Sequence, residues 1–324
     1  MCIRDSAQAP LAFDAASGEI YTALTAHQTN SGQLNSSNSF SRAFQPLGEG
    51  VSAWVGGTVG DASIDTDGNG AEIDGSTTRF QLGLDYRANE SKFGAGARFS
   101  FLDQSVEVED RSSIAEGDGW ALDGYARYGT SGSGVTLAAS ANISEVEYDV
   151  ARQIVIDDLS RIANSSVDLD AYGFEAEARY GFDVGENWSV GPVASISYSD
   201  AEIGAFSETG AESLNLLSAG NDADRVWTGI GVFSNWQSES ANIDVSARYL
   251  AGESQFSEAT LAFEGNADQP FEVRSPRTNG EALSLDASGS IVLGEGWRIG
   301  ASLNGVTGGD VSALSARAAI SLDF

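Results

Sequence analysis

The stretch Leu314-Ser-Ala-Arg-Ala-Ala-Ile-Ser-Leu-Asp-Phe324 has an apolar side chain at every second position, up to the last residue. The positions between them are mostly polar, and they include Arg317 and Asp323. Because successive side chains of a β-strand point to opposite faces, this stretch predicts a strand with one oily face and one polar face. The rest of the sequence has to show whether the oily face meets a protein core or a lipid bilayer.

The same period of two recurs along the chain from about Val51 onward. In Phe80-Gln-Leu-Gly-Leu-Asp-Tyr-Arg87, for example, Phe, two Leu and Tyr share one face. Similar segments lie at 93–101, 172–180, 241–249 and 297–303. Counting all of them gives about twelve strands, an even number typical of single-chain bacterial outer-membrane barrels. No run of about 18 apolar residues occurs, which excludes a membrane-spanning helix but allows spanning strands of about 9–11 residues.

The connections between these segments alternate between short and long. Short turns are predicted at 88–91, 130–134, 183–187, 237–240 and 293–296. Long, acidic and polar connections are predicted at 61–75, 103–118, 145–168, 200–224 and 253–280. Outer-membrane barrels place short turns on one rim and long loops on the other. The sequence therefore predicts an all-β fold, a transmembrane, antiparallel, up-and-down β-barrel of about 12 strands, over residues 48–324.

The polar faces of the predicted strands carry charges of both signs. A charged side chain facing lipid at the bilayer midplane costs about 2–4 kcal/mol, so these side chains are expected to point into a wet lumen rich in ion pairs. The candidate lumen-facing residues are Asp85, Arg98, Asp123, Arg127, Glu175, Glu177, Arg179, Asp244, Arg248, Asp286 and Arg317.

Aromatic residues cluster near the ends of the predicted strands. Amphipathic rings favour the headgroup level of a membrane, so two girdles are expected. The residues beside the short turns are Tyr86, Tyr128, Tyr180, Trp188, Trp236 and Trp297, and those beside the long loops are Phe101, Trp120, Tyr198, Trp227 and Tyr249.

Composition excludes several classes of function. The net charge is −30, from 47 acidic and 17 basic side chains, which argues against a nucleic-acid partner because phosphate needs a basic surface. The single cysteine, Cys2, allows no internal disulfide, and the single histidine, His27, excludes a zinc site built from several histidines. We expect no cofactor.

Ahead of the predicted barrel the sequence changes character. Residues 12–28 read as a slim helix of modest hydrophobicity, and the Ser- and Asn-rich residues 29–41 read as a linker. The first six residues contain no secretion signal. We therefore expect residues 1–10 to be a non-native or residual leader, residues 11–47 a pore helix and linker, and the natural start to lie upstream.

Several motifs resemble those of one known family. Phe80-Gln-Leu-Gly-Leu-Asp-Tyr86 resembles the second-strand motif of the autotransporter translocator domain of type V secretion, and Ser17-Gly-Glu-Ile-Tyr21 resembles its pore helix. Phe206-Ser-Glu-Thr-Gly210 with Leu214 is similar to one of its loops, and Gly191-Pro-Val-Ala-Ser-Ile-Ser-Tyr198 to a strand that also carries proline. The resemblance covers roughly residues 11–324.

The resemblance implies a non-catalytic protein of the bacterial outer membrane. Its barrel would export an N-terminal passenger and anchor it at the cell surface, with the pore helix threaded through the lumen. Phe324 would be the assembly signal. The implied partners are the outer-membrane lipid bilayer, the outer-membrane assembly machinery and the protein's own passenger, and the barrel would be a monomer.

Other functions remain open at this point. The stretch Asp65-Thr-Asp-Gly-Asn-Gly70 begins like a calcium loop, but Ser76 stands where the bidentate Glu is needed, so a turn is favoured. Asn30, Asn35 or Asn38 could cleave the backbone that follows, but the Ser- and Asn-rich composition favours a solvated linker. A diffusion porin is the main alternative. A barrel enzyme is disfavoured because His27 lies outside every predicted strand.

Overall fold

A computed structural model describes residues 8–44, 50–88, 92–129 and 132–324. Of the expected non-native or residual leader at residues 1–10, the first seven residues lie outside these ranges. Two helices precede the strands, α1 (Gln8–Ala16) and α2 (Glu19–Phe44). In chain order the strands are β1 (Gly50–Ile64), β2 (Ile73–Arg87), β3 (Phe93–Val108), β4 (Ser113–Tyr128), β5 (Gly134–Ile156), β6 (Leu159–Asp183), β7 (Trp188–Ile203), β8 (Phe206–Ser207), β9 (Leu216–Ser218), β10 (Asn221–Gln237), β11 (Ala241–Gly252), β12 (Glu258–Phe263), β13 (Phe271–Arg274), β14 (Glu281–Gly294), β15 (Trp297–Gly308) and β16 (Val311–Asp323).

Twelve of these strands form a closed antiparallel barrel, in the order β1-β2-β3-β4-β5-β6-β7-β10-β11-β14-β15-β16 and back to β1. Each barrel strand pairs with its neighbours along the chain, and the ring closes where β16 pairs with β1, from Ser52↔Asp323 to Ile64↔Val311. Closure leaves no unpaired sheet edge in the barrel wall. The predicted fold class and strand number are confirmed.

The barrel wall sorts side chains as the period of two predicts. On β2, the apolar residues Phe80 and Leu84 are 50% and 59% exposed, whereas Gln81 and Asp85, the residues that follow each of them, are only 1% and 2% exposed. The same alternation runs along the other barrel strands. Over the part of the wall nearer the short turns the outer face is therefore apolar and the inner face polar, the reverse of a soluble barrel, because the outer face there meets lipid.

Two of the predicted long connections are wrong. Residues 103–118 and 145–168 are almost entirely strand, and the β5–β6 hairpin turns at residues 157–158 alone. The period of two continues through these stretches, with Val146 and Leu169 buried inside while Glu145 and Glu147 face outward. Those outward carboxylates made the stretches read as polar loops. β5 and β6 have 23 and 25 residues, against about 9–11 for a membrane crossing, so this hairpin projects beyond the bilayer.

Two further long connections, one between β7 and β10 and one between β11 and β14, fold into a second sheet. It has four strands in the order β13-β12-β9-β8. β9 and β12 come from different connections and pair at Leu261↔Ser218 and Phe263↔Leu216. We call this element the mouth sheet, because it lies against the N-terminal end of α2 at the long-loop rim. The sequence did not predict it.

The segment before the barrel also differs from expectation. The expected helix at 12–28 is broken at Gly18, whose φ of +75° is readily adopted only by glycine. The expected linker at 29–41 is helical, because α2 runs from Glu19 to Phe44. Thr29 and Asn30 bond back to the helix carbonyls of Thr25 and Ala26, which satisfies these side chains without leaving the helix. Neither described helix is both long and apolar enough to cross a membrane.

Candidate functional site in the barrel lumen

The lumen contains α2. From Gly18 to Ser31 every residue of the chain is buried, and Ile20, Tyr21 and Leu24 are at most 1% exposed. The helix contacts strands on all sides, among them β3, β4, β7, β10 and β15. Its first residue lies near the long loops, since the Ala71 amide and the Arg111 guanidinium both bind the Glu19 carboxylate. The helix therefore fills the pore instead of lying beside it.

The lumen has an apolar layer at its long-loop end. Ile20 and Leu24 pack in one buried cluster with side chains from β2 to β7 and from the mouth sheet. The wall contributes Ile73, Val106, Ala115, Val146, Leu169 and Ile203, and the mouth sheet contributes Leu216, Ala259, Leu261 and Val273. The expectation of a wet lumen is therefore wrong for this half. Its wall residues come largely from the stretches that the sequence reading assigned to loops.

The layer nearer the short turns is polar and held by ion pairs. Arg98 and Asp123 are paired in register on β3 and β4, with nitrogen–oxygen distances of 3.0 Å and 2.6 Å. Arg179 on β6 reaches Asp244 on β11 at 2.8 Å, past the two strands β7 and β10 that separate them. Such a contact is possible only across the inside of the barrel.

Arg248 lies at the centre of this polar layer. Its guanidinium is 2.7 Å from Glu177, 2.7 Å from Asp286 and 3.5 Å from Glu175. The side chain of Arg248 is 2% exposed, so the charges meet away from bulk water. Buried charges need such partners because desolvation of an unpaired one is costly.

The structure places the remaining candidate residues on the inner face as well. Asp85 on β2 accepts a hydrogen bond from the Tyr125 hydroxyl on β4, and this bond passes the strand β3 that lies between them. The Arg317 guanidinium donates to Gln81 at 3.1 Å and stacks over the Trp54 ring. Arg127 is 5% exposed. The eleven candidates thus share one lumen, although Arg98, Asp123 and Asp85 lie apart from the group around Arg248.

One expected girdle residue is misplaced. Trp227 is 4% exposed, and its ring lies 4.2 Å below the Arg225 guanidinium on the inner face of β10. The alternation along β10 explains this position. The side chains of Val226 and Ile230 are exposed and point outward, so the side chain of Trp227 points inward. Of the other side chains proposed for the girdles, Trp120, Tyr198 and Trp236 are half-buried, and the rest, such as Tyr128 and Tyr180, are exposed.

The sequence reading missed a buried cluster at the long-loop end. Glu208, beside β8, accepts hydrogen bonds from Arg152 at 2.6 Å and 3.0 Å, from the Leu216 amide at 2.7 Å and from the Tyr21 hydroxyl at 2.8 Å. Both charged side chains are at most 1% exposed. Continued alternation through β5 would have placed Arg152 on the same inner face as Val146 and Val150.

The calcium-like loop makes other contacts in the structure. Asp67 accepts hydrogen bonds from the Asn69 and Gly70 amides at 2.8 Å and from the Arg277 amide at 3.0 Å. Although partial burial opposes them, these bonds hold the pKa of Asp67 below its usual value. Asp67 therefore joins two loops at the barrel mouth, which supports the reading as a turn.

The other candidate chemical groups lie on α2. His27 is 2% exposed, and its ring lies so close to Gly75 that a Cβ there would be 2.1 Å from Cε1. The Asn30 amide donates to the Ala26 carbonyl at 2.7 Å. The side chains of Asn35 and Asn38 lie outside the described residues. Nothing in these contacts forms a nucleophile–base pair within the described chain.

A closed barrel with an apolar outer band, a charged inner layer and a helix of its own chain in the lumen defines a membrane β-barrel with an occupied pore. Residues 53–304 match the model of the autotransporter β-domain family, and the chain belongs to that family. It is an outer-membrane barrel of the translocator class. A comparison with curated proteins finds no match.

Solved structures agree with this assignment. The translocator domain of the autotransporter NalP from Neisseria meningitidis is similar with a TM-score of 0.75 and 15% identity, over 95% of this chain and 100% of that one. The β-domain of Bordetella BrkA has a TM-score of 0.57 and 16% identity, over 85% and 100% of the two chains. The transport unit of AIDA-I from Escherichia coli has a TM-score of 0.54 and 14% identity, over 92% and 99%. At these identities the likeness shows the fold.

Proposed function

We propose that this barrel exports an N-terminal passenger to the bacterial cell surface and anchors it there, without catalysing a reaction. The observation that carries the proposal is the path of the chain. α2 leads from the N-terminal segment at the long-loop rim, through the lumen, towards β1, which begins at Gly50 on the short-turn rim. In outer-membrane barrels the short turns face the periplasm and the long loops face outward. A segment that precedes α1 would therefore emerge on the outside.

The inner wall suits such a passage. In the proposed mechanism the apolar outer band supplies the free energy of insertion, and the charges around Arg248 hydrate the chain that passes. Folding of the passenger outside would give direction. α2 would then remain in the lumen as a plug.

Assembly belongs to the same proposal. β16 closes the barrel, and the Phe324 amide that follows it donates to the Val51 carbonyl at 2.9 Å, while its ring is 76% exposed. We propose that this ring is the assembly signal read by the outer-membrane assembly machinery. The inserted barrel would be a monomer, because its wall is complete within one chain.

The test is a surface-display experiment. An epitope placed before residue 8 should be reached by antibody and by added protease on intact cells. A matched chain that lacks residues 8–44 but keeps the epitope and the barrel should leave the epitope inaccessible. An epitope that stays periplasmic in the first chain, with the barrel correctly inserted, would contradict the proposal.

A further inference from the structure

We propose that Gly18 sets the position at which the exported chain stops in the pore, because the mouth sheet closes only around a residue without a side chain. We call Phe206, Glu208, Leu216 and Leu261 the collar, since they meet Gly18 and the first turn of α2. The collar makes Gly18 a positioning residue for export. This inference deepens the proposed function and rests on it.

The space around Gly18 admits only glycine. A Cβ atom at Gly18 would lie 2.5 Å from Cδ1 of Leu216 and 2.9 Å from Cδ1 of Leu261. Both leucines are fully buried, so they have little freedom to move aside. The φ of +75° at Gly18 also disfavours any residue with a side chain. If the chain slipped by one residue, Ser17 or Glu19 would enter this space.

The collar holds the next turn of α2 by direct contacts. The rings of Tyr21 and Phe206 stack with their centroids 3.9 Å apart, and the Tyr21 hydroxyl donates to Glu208 at 2.8 Å. Arg152 on the barrel wall fixes that same carboxylate and also donates to the Ala15 carbonyl at 3.5 Å. The wall, the collar and the chain thus meet at one buried carboxylate.

The mouth sheet and the seated helix depend on each other. β9 and β12 come from separate connections and bury Leu216 and Leu261 against the helix. With another part of the chain in the mouth these leucines would lose that contact, so the two connections would have less apolar surface to bury. Arrival of Gly18 lets the sheet close, which stops the chain and seals the surface end of the pore with the apolar layer.

A cross-link reports the register of the helix. The Thr25 and Ser257 hydroxyl oxygens are 2.6 Å apart, joining α2 to the connection that carries β12. In a Cys2→Ser background, Thr25→Cys with Ser257→Cys should form a disulfide only when α2 sits in this register. The protein is assembled in cells with the surface epitope, and disulfide yield is measured after mild oxidation.

Gly18→Ala should lower the disulfide yield about tenfold, since the added methyl group overpacks the collar. Gly68→Ala is the matched control, because Gly68 has a φ of +86° but no heavy atom within 4 Å of a Cβ placed there. It should keep the wild-type yield. Adding Leu216→Ala to Gly18→Ala should restore part of the yield by making room for the methyl group.

The outcomes separate the collar from export itself. If Gly18→Ala keeps the epitope at the surface and the full disulfide yield, the collar does not set the register and the inference is overturned. Equal losses in Gly18→Ala and Gly68→Ala, or no recovery with Leu216→Ala, also overturn it. An epitope that never reaches the surface even without substitutions would refute the proposed function instead. Heat-modifiable mobility on gels identifies the variants whose barrels have assembled.

Discussion

Single side chains in this barrel are sorted by charge. The buried arginines face the lumen, and they are Arg79, Arg98, Arg127, Arg152, Arg179, Arg225, Arg248, Arg298 and Arg317. Carboxylates bind Arg98, Arg152 and Arg248, among others, whereas Arg225 donates to the Thr278 hydroxyl and the Asn279 carbonyl. Alternation along a strand was enough to predict the inner face for Arg98 or Arg248. The partners of Arg179 and Arg248 could not be predicted, because the barrel closure that brings β6 to β11 is not a local property of the sequence.

Arg248→Ala should destabilise the barrel strongly. The substitution removes the cation that lies among Glu175, Glu177 and Asp286, and of these Glu177 keeps its contact with Arg179. Removal of one partner from a buried ion pair costs about 3–5 kcal/mol, so the free energy of unfolding should fall by about that amount. Urea unfolding in detergent, followed by gel mobility, measures it.

The control for this substitution is Arg161→Ala. Arg161 pairs with Glu212 at 3.1 Å, but the two side chains are 36% and 74% exposed. An exposed pair contributes about 0–1 kcal/mol, so this variant should unfold close to the wild type. Equal losses in both variants would show that the lumen network does not stabilise the barrel.

At the scale of strands, the outer wall changes from apolar to acidic at one level. On β5 the outward positions pass from Leu137 and Ile143 to Glu145 and Glu147. Carboxylates then stand directly opposite one another across adjacent strands. One such row is Asp103–Asp118–Glu147–Asp168, and a second is Glu145–Asp170–Glu202–Asp222. Like charges in opposite positions destabilise a sheet.

The elements show where sequence reasoning stops. Period-two patterns predicted the twelve barrel strands, because lipid on one side and polar groups on the other impose a strict alternation. The outer ends of β3 to β6 were not predicted as strands, because outward carboxylates replace apolar residues there. The mouth sheet was not predicted, because β9 and β12 are only 3 and 6 residues long and pair across separate connections.

Asp118→Asn should stabilise the protein slightly. Asp118 lies between Asp103 and Glu147 in the first carboxylate row, so a neutral amide there removes repulsion from both sides. We expect a gain of about 0.2–1 kcal/mol in the free energy of unfolding. The gain should shrink in high salt, which screens exposed charges within a few ångströms. A gain that does not depend on salt would contradict the electrostatic explanation.

The loop between β1 and β2 should become more stable as the pH falls. Repulsion from Glu109 raises the pKa of Glu72 above its usual value of 4.5. Because the folded protein holds this proton more tightly than the unfolded chain, the stabilisation is complete below about pH 4.5 and is lost as the pH rises through the raised pKa. Glu72→Gln should therefore stabilise the protein at pH 7 and lose this advantage at low pH. Thermal unfolding of both proteins across this range measures it.

At the scale of the whole molecule, the barrel and the helix form one closed body. α2 fills the lumen. An apolar layer closes the long-loop end, and ion pairs join the strands of the wall nearer the short turns. The threaded helix could be expected from the family resemblance. The apolar layer that closes the lumen around this helix could not be expected, since it combines residues from the wall, the helix and the mouth sheet that are distant in sequence.

Deletion of residues 1–47 should open the pore. The full chain in a planar bilayer should show little conductance, because α2 occupies the lumen and its apolar layer excludes ions. The shortened barrel should conduct steadily at the same voltage. Equal conductance from both proteins would favour a simple diffusion porin. Heat-modifiable gel mobility of the shortened chain serves as the control for correct assembly.

The β5–β6 hairpin is the longest in the barrel, and it turns within residues 157–158, with Asp157 at a φ of +51°. Since it rises above the lipid headgroups, its tip is one of the first parts of the protein that an antibody, a phage or a neighbouring cell can touch. A short peptide tag inserted at that tip would be displayed outward on a rigid stalk, with the pore below it undisturbed.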